Sequence, residues 1–132
     1  MLDEDKINLA RYRIEKAKDT LEVAKSLFES DGYLHSINRS YYSIFHAARA
    51  LLALEDIDYK KHSAVISHFQ RYYIKTKIFD NKLSAIISNA FEIRNRSDYE
   101  DFYVLPKKSV RQQIENAAEF ITEIEKYINS QK

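Results

Sequence analysis

Between Ile7 and Phe28 apolar side chains return at alternating steps of three and four: Ile7, Ala10, Ile14, Ala17, Leu21, Ala24 and Phe28. That spacing makes one stripe of an amphipathic helix and predicts α-helix from roughly Asp3 to Ser30. The opposite face is charged, with Lys6, Arg13, Lys16, Glu22, Lys25 and Glu29. Asp3 fits an N-cap, and Glu4 and Asp5 put negative charge in the first turn. Gly32 stands where the end of that helix needs a left-handed residue.

A second helix begins almost at once, around Tyr33 to Ser36, and runs to about Leu54. So short a joint makes the two helices antiparallel neighbours. Ile37, Tyr41, Ile44, Phe45, Ala48, Leu51 and Leu52 leave this helix apolar nearly all round, which places it centrally. Glu55 to Lys61 reads as a polar loop. A short helix follows from His62 to Tyr73, with Val65, Ile66 and Phe69 inward and Ser63 as its cap. Lys75 to Phe79 is a connection. Asp80 caps a fourth helix that buries Leu83, Ile86, Ile87, Ala90, Phe91 and Ile93. Pro106 marks the first position of a fifth, where its missing N–H is not needed. Ser109 with Gln112 offers a competing start. Val110, Ile114, Ala117, Ile121, Ile124 and Ile128 again step by three and four. The expected fold is all-α: an up-down four-helix bundle with one additional short helix.

Composition narrows this further. The 132 residues include one Gly and one Pro, too few for the turns of a sheet protein. Residues 1–132 are read as a single domain. The lack of Cys excludes disulfides, thiol catalysis and thiolate metal sites. MLDEDK does not read as a signal peptide, and no apolar run reaches membrane-spanning length, so cytoplasm is the expected location. The 21 basic and 20 acidic residues leave a net charge of +1, so any affinity for nucleic acid must come from local arrangement.

Two polar stripes break the pattern of buried helices. On the fourth helix Arg94 falls within about 20° of Leu83 and of Ala90, along the apolar face. Asp98 follows four residues on. A guanidinium directed inward needs a partner, because an unpaired buried charge is costly. Arg94–Asp98 is therefore either a structural clamp at the end of the helix or a site where Arg94 holds a phosphate or another anion. On the second helix His35, Arg39, Tyr42, His46 and Arg49 share an arc of about 80°. A solvated face usually mixes both signs, and this one has no carboxylate. It reads as a functional cleft or a subunit interface, ahead of the alternative that it is the exposed side a central helix still needs.

Metal binding is not expected. His35 and His46 share a face but lie roughly 16 Å apart along the helix, and there is no HExxH. A single glycine rules out a glycine-rich phosphate loop. No cofactor is expected. The ten tyrosines suit interfaces and the ends of the core better than base stacking.

SINRSYYSIFHAARALLALEDID, then KKHSAVISHF, then FEIRNRSDYEDF resemble the HEPN family, named for higher eukaryotes and prokaryotes nucleotide-binding. The resemblance runs from about Leu9 to about Ile128. It implies a bundle of four or five helices, usually a homodimer. In the ribonuclease branches an arginine is followed four to six residues later by a histidine, and the pair cleaves RNA at the dimer interface without a metal. Prokaryotic members often stand beside a minimal nucleotidyltransferase as a toxin–antitoxin pair, and other members bind nucleotides or proteins without catalysis.

Arg94 matches the motif arginine and Asn95 the polar residue after it. The histidine is absent: Tyr99 stands where the motif would place it, and no His follows His68. Tyrosine titrates near 10, too high for a base near neutral pH. Asp98 stands beside an arginine, which opposes its acting as a base. His46 or His62 would have to substitute in space. Three readings follow. The preferred one is a HEPN module in which Arg94, Asn95, Arg39, Arg49, His46 and Tyr42 bind nucleotide or RNA phosphate, with a homodimer and a nucleotidyltransferase-like partner and no membrane. The second is a metal-independent endoribonuclease toxin, with catalytic candidates Arg94, Asp98, Tyr99 and His46. The third is a purely structural dimerisation module.

Overall fold

The computed structural model describes residues 3–100 and 103–131. The helices are α1 (Glu4–Glu29), α2 (Tyr33–Leu54), α3 (His62–Phe69), α4 (Asn81–Tyr99) and α5 (Lys107–Asn129), with a π-helical turn at Gln70–Ile74 directly after α3. No strand occurs among the described residues. The expected all-α bundle is what the chain forms. No helix among the described residues is long and apolar enough to cross a membrane.

Cross-helix contacts fix the directions. Arg13 reaches the carbonyl of Arg49, and Ser36 reaches that of Ala24, so α1 and α2 run antiparallel. Lys18 pairs with Glu125, while Lys107 and Arg111 lie over the Phe28 ring, so α5 runs against α1. Lys82 pairs with Glu119, and Ala90 and Gln113 line one hollow, so α4 runs against α5. The four long helices therefore alternate in direction.

The α1 stripe is buried as its spacing demands. Ala10, Ala17 and Ala24 have no exposed surface, and their small size lets α2 approach closely. On α2, 14 of 22 residues are buried, which confirms its central place. Its three buried serines satisfy their hydroxyls on carbonyls: Ser36 on Ala24, Ser40 on Ile37 and Ser43 on Ser40. Gln113 of α5 is also buried, and its Nε2 donates to the Ile37 carbonyl at 3.1 Å and to Ser40 Oγ at 2.6 Å. Phe120 has no exposed surface, and its truncation to Ala would cost about 3–5 kcal/mol.

The caps follow chemistry, with three departures. Asp3 and Asp80 cap as expected, each accepting a backbone N–H at 2.9 Å. Gly32 is not the left-handed residue after α1. Asp31 is, at φ 66, while Gly32 has φ −85. Aspartate tolerates that region, and the glycine serves close approach instead. Its N–H donates to the Leu27 carbonyl at 2.7 Å, and a Cβ there would meet that oxygen at 3.3 Å. Ser63 does not cap α3. Lys61 precedes the helix in extended conformation, and its carbonyl takes the N–H groups of Ala64 and Val65. Pro106 is the cap of α5 rather than its first residue, and Ser109 already lies in the first turn.

Candidate functional site

Steps of three and four put Arg39, Tyr42, His46 and Arg49 on one face of α2. All four are half-buried. The Arg39 guanidinium lies 4.9 Å from the Tyr42 ring centroid, and its Nε and Nη2 donate to Asn38 Oδ1. Arg94 arrives from α4. Its guanidinium is 5.5 Å from the centroids of both Tyr41 and Tyr42, and Nη2 donates to the Tyr42 hydroxyl at 3.2 Å. Two cations thus share one tyrosine ring, whose negative face attracts each of them. From α3, His62 stacks on Phe45 at 4.0 Å and meets Tyr42 edge-on at 5.7 Å. Its Nδ1 is 2.9 Å from the Tyr41 hydroxyl.

Arg94 Nε lies 3.1 Å from Asp98 Oδ2, yet it makes no hydrogen bond and is enclosed. The distance gives a Coulombic pair, but the N–H is not aimed at the oxygen. Arg49 is better engaged: its Nε and Nη2 reach the Asp58 carboxylate at 3.3 and 2.7 Å. Asp58 Oδ1 also accepts the Tyr59 N–H. Beside this pair lies a cleft of about 460 Å³, lined by Phe45, Arg49, Asp58, Tyr59, Lys60 and His62.

The field here is positive. Burial pushes the His46 imidazole down to about 4, with Lys16, Arg49, Arg39 and Arg13 adding to the effect. Burial, Arg94 and Arg49 also lower His62. Burial raises the Tyr41 phenol well above its ordinary value, against the pull of Arg94. Near neutral pH the site therefore presents arginines, neutral imidazoles and the neutral Tyr41 phenol, with the Asp58 carboxylate engaged by Arg49 and Asp98 beside Arg94. That set favours an anion and offers acceptor nitrogens beside it.

Arg39, Tyr42, His46, Arg49 and Arg94 come together as one surface, with Asp98 at its edge. Asn95 is half-buried on the next position of α4 and stands outside these contacts. Tyr99 is 84% exposed and joins none of them among the described residues. His35 is separate, lining a hollow with Tyr103, Val104 and Leu105. Sequence reasoning missed Arg13, Lys16, Tyr41, Phe45 and Asp58. Tyr41 and Phe45 look like core, and Arg13 and Lys16 look like solvated charge on α1. Only the α1–α2 register reveals them. Among the described residues no group of three His, Asp or Glu side chains could hold a metal ion.

A family model described as HEPN domain matches residues 10–127. A protein of Methanocaldococcus jannaschii, whose name marks it as a candidate toxin, is 33% identical over 89% of this chain and 80% of its own length. A second from that organism, similarly named, is 37% identical over 65% of this chain and 64% of its own. A Thermotoga maritima protein named only as a UPF0332 protein is 30% identical over 97% of both chains.

Proposed function

The chain belongs to the HEPN domain family, and from that premise we propose that it binds nucleotide or RNA phosphate through Arg39, Tyr42, His46, Arg49 and Arg94. It is a toxin-like member by its relatives. In this reading two copies of one helical domain join near the face that carries Arg94, and a small nucleotidyltransferase-like protein is the partner, as antitoxin to toxin.

The observation that carries the reading is the pair of guanidinium groups on Tyr42. Arg94 has five N–H donors and directs one side-chain hydrogen bond among the described residues, to the Tyr42 hydroxyl. Its Nε is enclosed beside Asp98, so the donors left for an anion are those of the two Nη groups. The test is binding of nucleotides and short RNA to the purified protein. Arg94→Ala is expected to weaken it at least tenfold, and wild-type binding by that variant would end the reading. Co-purification with a nucleotidyltransferase tests the partner.

His62 favours a second reading, a metal-independent endoribonuclease. In this reading His62, which touches the same tyrosines, stands in for the imidazole missing after Arg94. Arg94 would stabilise charge developing on the scissile phosphate, and His62 would take the 2′-hydroxyl proton. RNA cleavage in excess EDTA, lost in His62→Ala, is the expected result. An inert wild-type protein would end this second reading.

A further inference from the structure

From Tyr59 to Phe79 the chain carries Lys60, Lys61, Arg71, Lys75 and Lys77 and no Asp or Glu. The whole protein has 20 acidic residues in 132, so simple proportion would put about three there. All five basic side chains are exposed. The same segment holds two exposed aromatic rings, Tyr59 at 38% and Tyr72 at 45%.

Both rings rest on one buried side chain. His68 is 5% exposed, and its ring lies 5.6 Å from that of Tyr59 and 4.5 Å from that of Tyr72. Its Nε2 is 2.9 Å from Glu55 Oε2, which also accepts the Tyr73 hydroxyl at 2.7 Å. A carboxylate only accepts, so Nε2 carries a proton. The Tyr59 hydroxyl shares a hydrogen bond of 3.0 Å with Nδ1. Arg71 lies over the Tyr72 ring at 5.4 Å. A buried polar network thus orders two solvent-facing rings, which would lose little further freedom on stacking with a ligand.

These rings connect to the phosphate site. Tyr42 meets His62, His62 stacks on Phe45, and the cleft beyond them is lined by Arg49, Lys60 and Tyr59. Tyr59 then leads through His68 to Tyr72. The carboxylates of the cleft and the network, Asp58 and Glu55, are engaged by Arg49 and by His68 with Tyr73. Asp56 is exposed at the start of the loop.

We propose that Tyr59, Tyr72, Arg71, Lys60 and Lys61 form a second contact surface for single-stranded RNA whose phosphate is held at Arg39 and Arg94. The inference rests on the phosphate-binding reading and extends it from one phosphate to a strand. Exposed rings amid basic side chains suit unpaired bases, since the bases of a duplex already stack on one another.

The test uses the full chain with RNA of two lengths. A fluorescent single-stranded 12-mer is followed by anisotropy and a trimer by NMR titration. Arg71→Ala with Tyr72→Ala, and separately Lys60→Ala with Lys61→Ala, are expected to weaken the 12-mer about tenfold and leave the trimer within about twofold. Tyr72→Phe should bind as wild type. The lysine pair should also reduce the salt slope of 12-mer binding by about 1.4. Arg94→Ala should weaken both lengths. If Arg94→Ala weakens both while the Tyr72 and lysine variants bind the 12-mer normally, the second surface is wrong and the phosphate reading stands. If the wild type binds neither RNA, both fall. A duplex 12-mer that competes as well as the single strand overturns the stacking role of Tyr72.

Discussion

Arg94 Nη2 donates to the Tyr42 hydroxyl at 3.2 Å, joining α4 to the middle of α2 across 52 residues of chain. Each helix carries a polar stripe where its position in the bundle calls for apolar side chains. This contact makes the two stripes one site. Tyr42 supplies a hydroxyl that accepts from Arg94 and a ring that attracts Arg94 and Arg39. Both arginines lie against the one ring; Asp98 offsets Arg94 from the edge of the site, and an anion between the arginines would lower the repulsion that remains.

Tyr42→Phe separates the hydroxyl from the ring. Both cation–ring contacts persist, and Arg94 loses its one directed bond. A hydrogen bond to a charged group contributes about 1.5–3 kcal/mol when fully engaged, and this one is long and partly exposed. RNA or nucleotide affinity is expected to fall about three- to tenfold, with the thermal midpoint within a few degrees of wild type. Isothermal titration and thermal denaturation of the same samples check it. Unchanged affinity would show that Arg94 is oriented by ring contacts alone.

Asp98→Asn distinguishes a clamp from a ligand site. The carboxylate lies 3.1 Å from Arg94 Nε and is 38% exposed. A part-exposed pair contributes at most about 1 kcal/mol to stability, so the loss should be small. If Arg94 binds phosphate, removing the nearby negative charge should strengthen binding about two- to fivefold. A structural clamp predicts the opposite balance: unchanged binding and a measurable drop in midpoint.

His46 gives the site a pH signature. Its pKa is about 4 in the folded chain and near 6.5 when unfolded. The unfolded state therefore takes up a proton first as pH falls. The stability that His46 contributes is present above about 6.5 and is lost as pH drops towards about 4. Denaturant midpoints should fall across that window, and less steeply in His46→Gln. A bound anion screens the cations of Lys16, Arg49, Arg39 and Arg13, so saturating nucleotide should raise the His46 pKa in an NMR titration. A His46 pKa that stays fixed would place the anion elsewhere.

The bundle was legible because its signals are periodic. The α1 stripe, the α5 stripe and the nearly all-apolar α2 each name their own buried residues, and the structure buries all of them but Phe28, which is half-buried. Contacts between helices carry no such period. Gln113 looks like a surface residue of α5 until Ser40 and the Ile37 carbonyl appear opposite it. Arg94 was legible as an anomaly because a cation on an apolar stripe violates the local rule. Its partner Tyr42 was legible only as one member of a stripe, and nothing in the sequence pairs the two. Asp31 and Gly32 show the limit at single residues: either suits a helix end, and the position of the Leu27 carbonyl decides which one turns left-handed.

Substitution of Glu55 separates a neutral hydrogen bond from a buried ion pair, since the two make different demands on it. In the arrangement here Glu55 Oε2 accepts from His68 Nε2 and from the Tyr73 hydroxyl. An amide oxygen can accept both bonds, so Glu55→Gln should cost no more than about 1 kcal/mol. Glu55→Ala strips both donors of their acceptor and should cost about 2–4 kcal/mol. Were His68 an imidazolium, Glu55→Gln would leave a buried cation unpaired at a cost of about 3–5 kcal/mol, like the alanine. Urea unfolding of the two variants decides between them. Hydrogen exchange adds the location: with Glu55→Ala, protection should fall first in α3 and the π-helical turn, which His68 and Tyr73 tie to the end of α2.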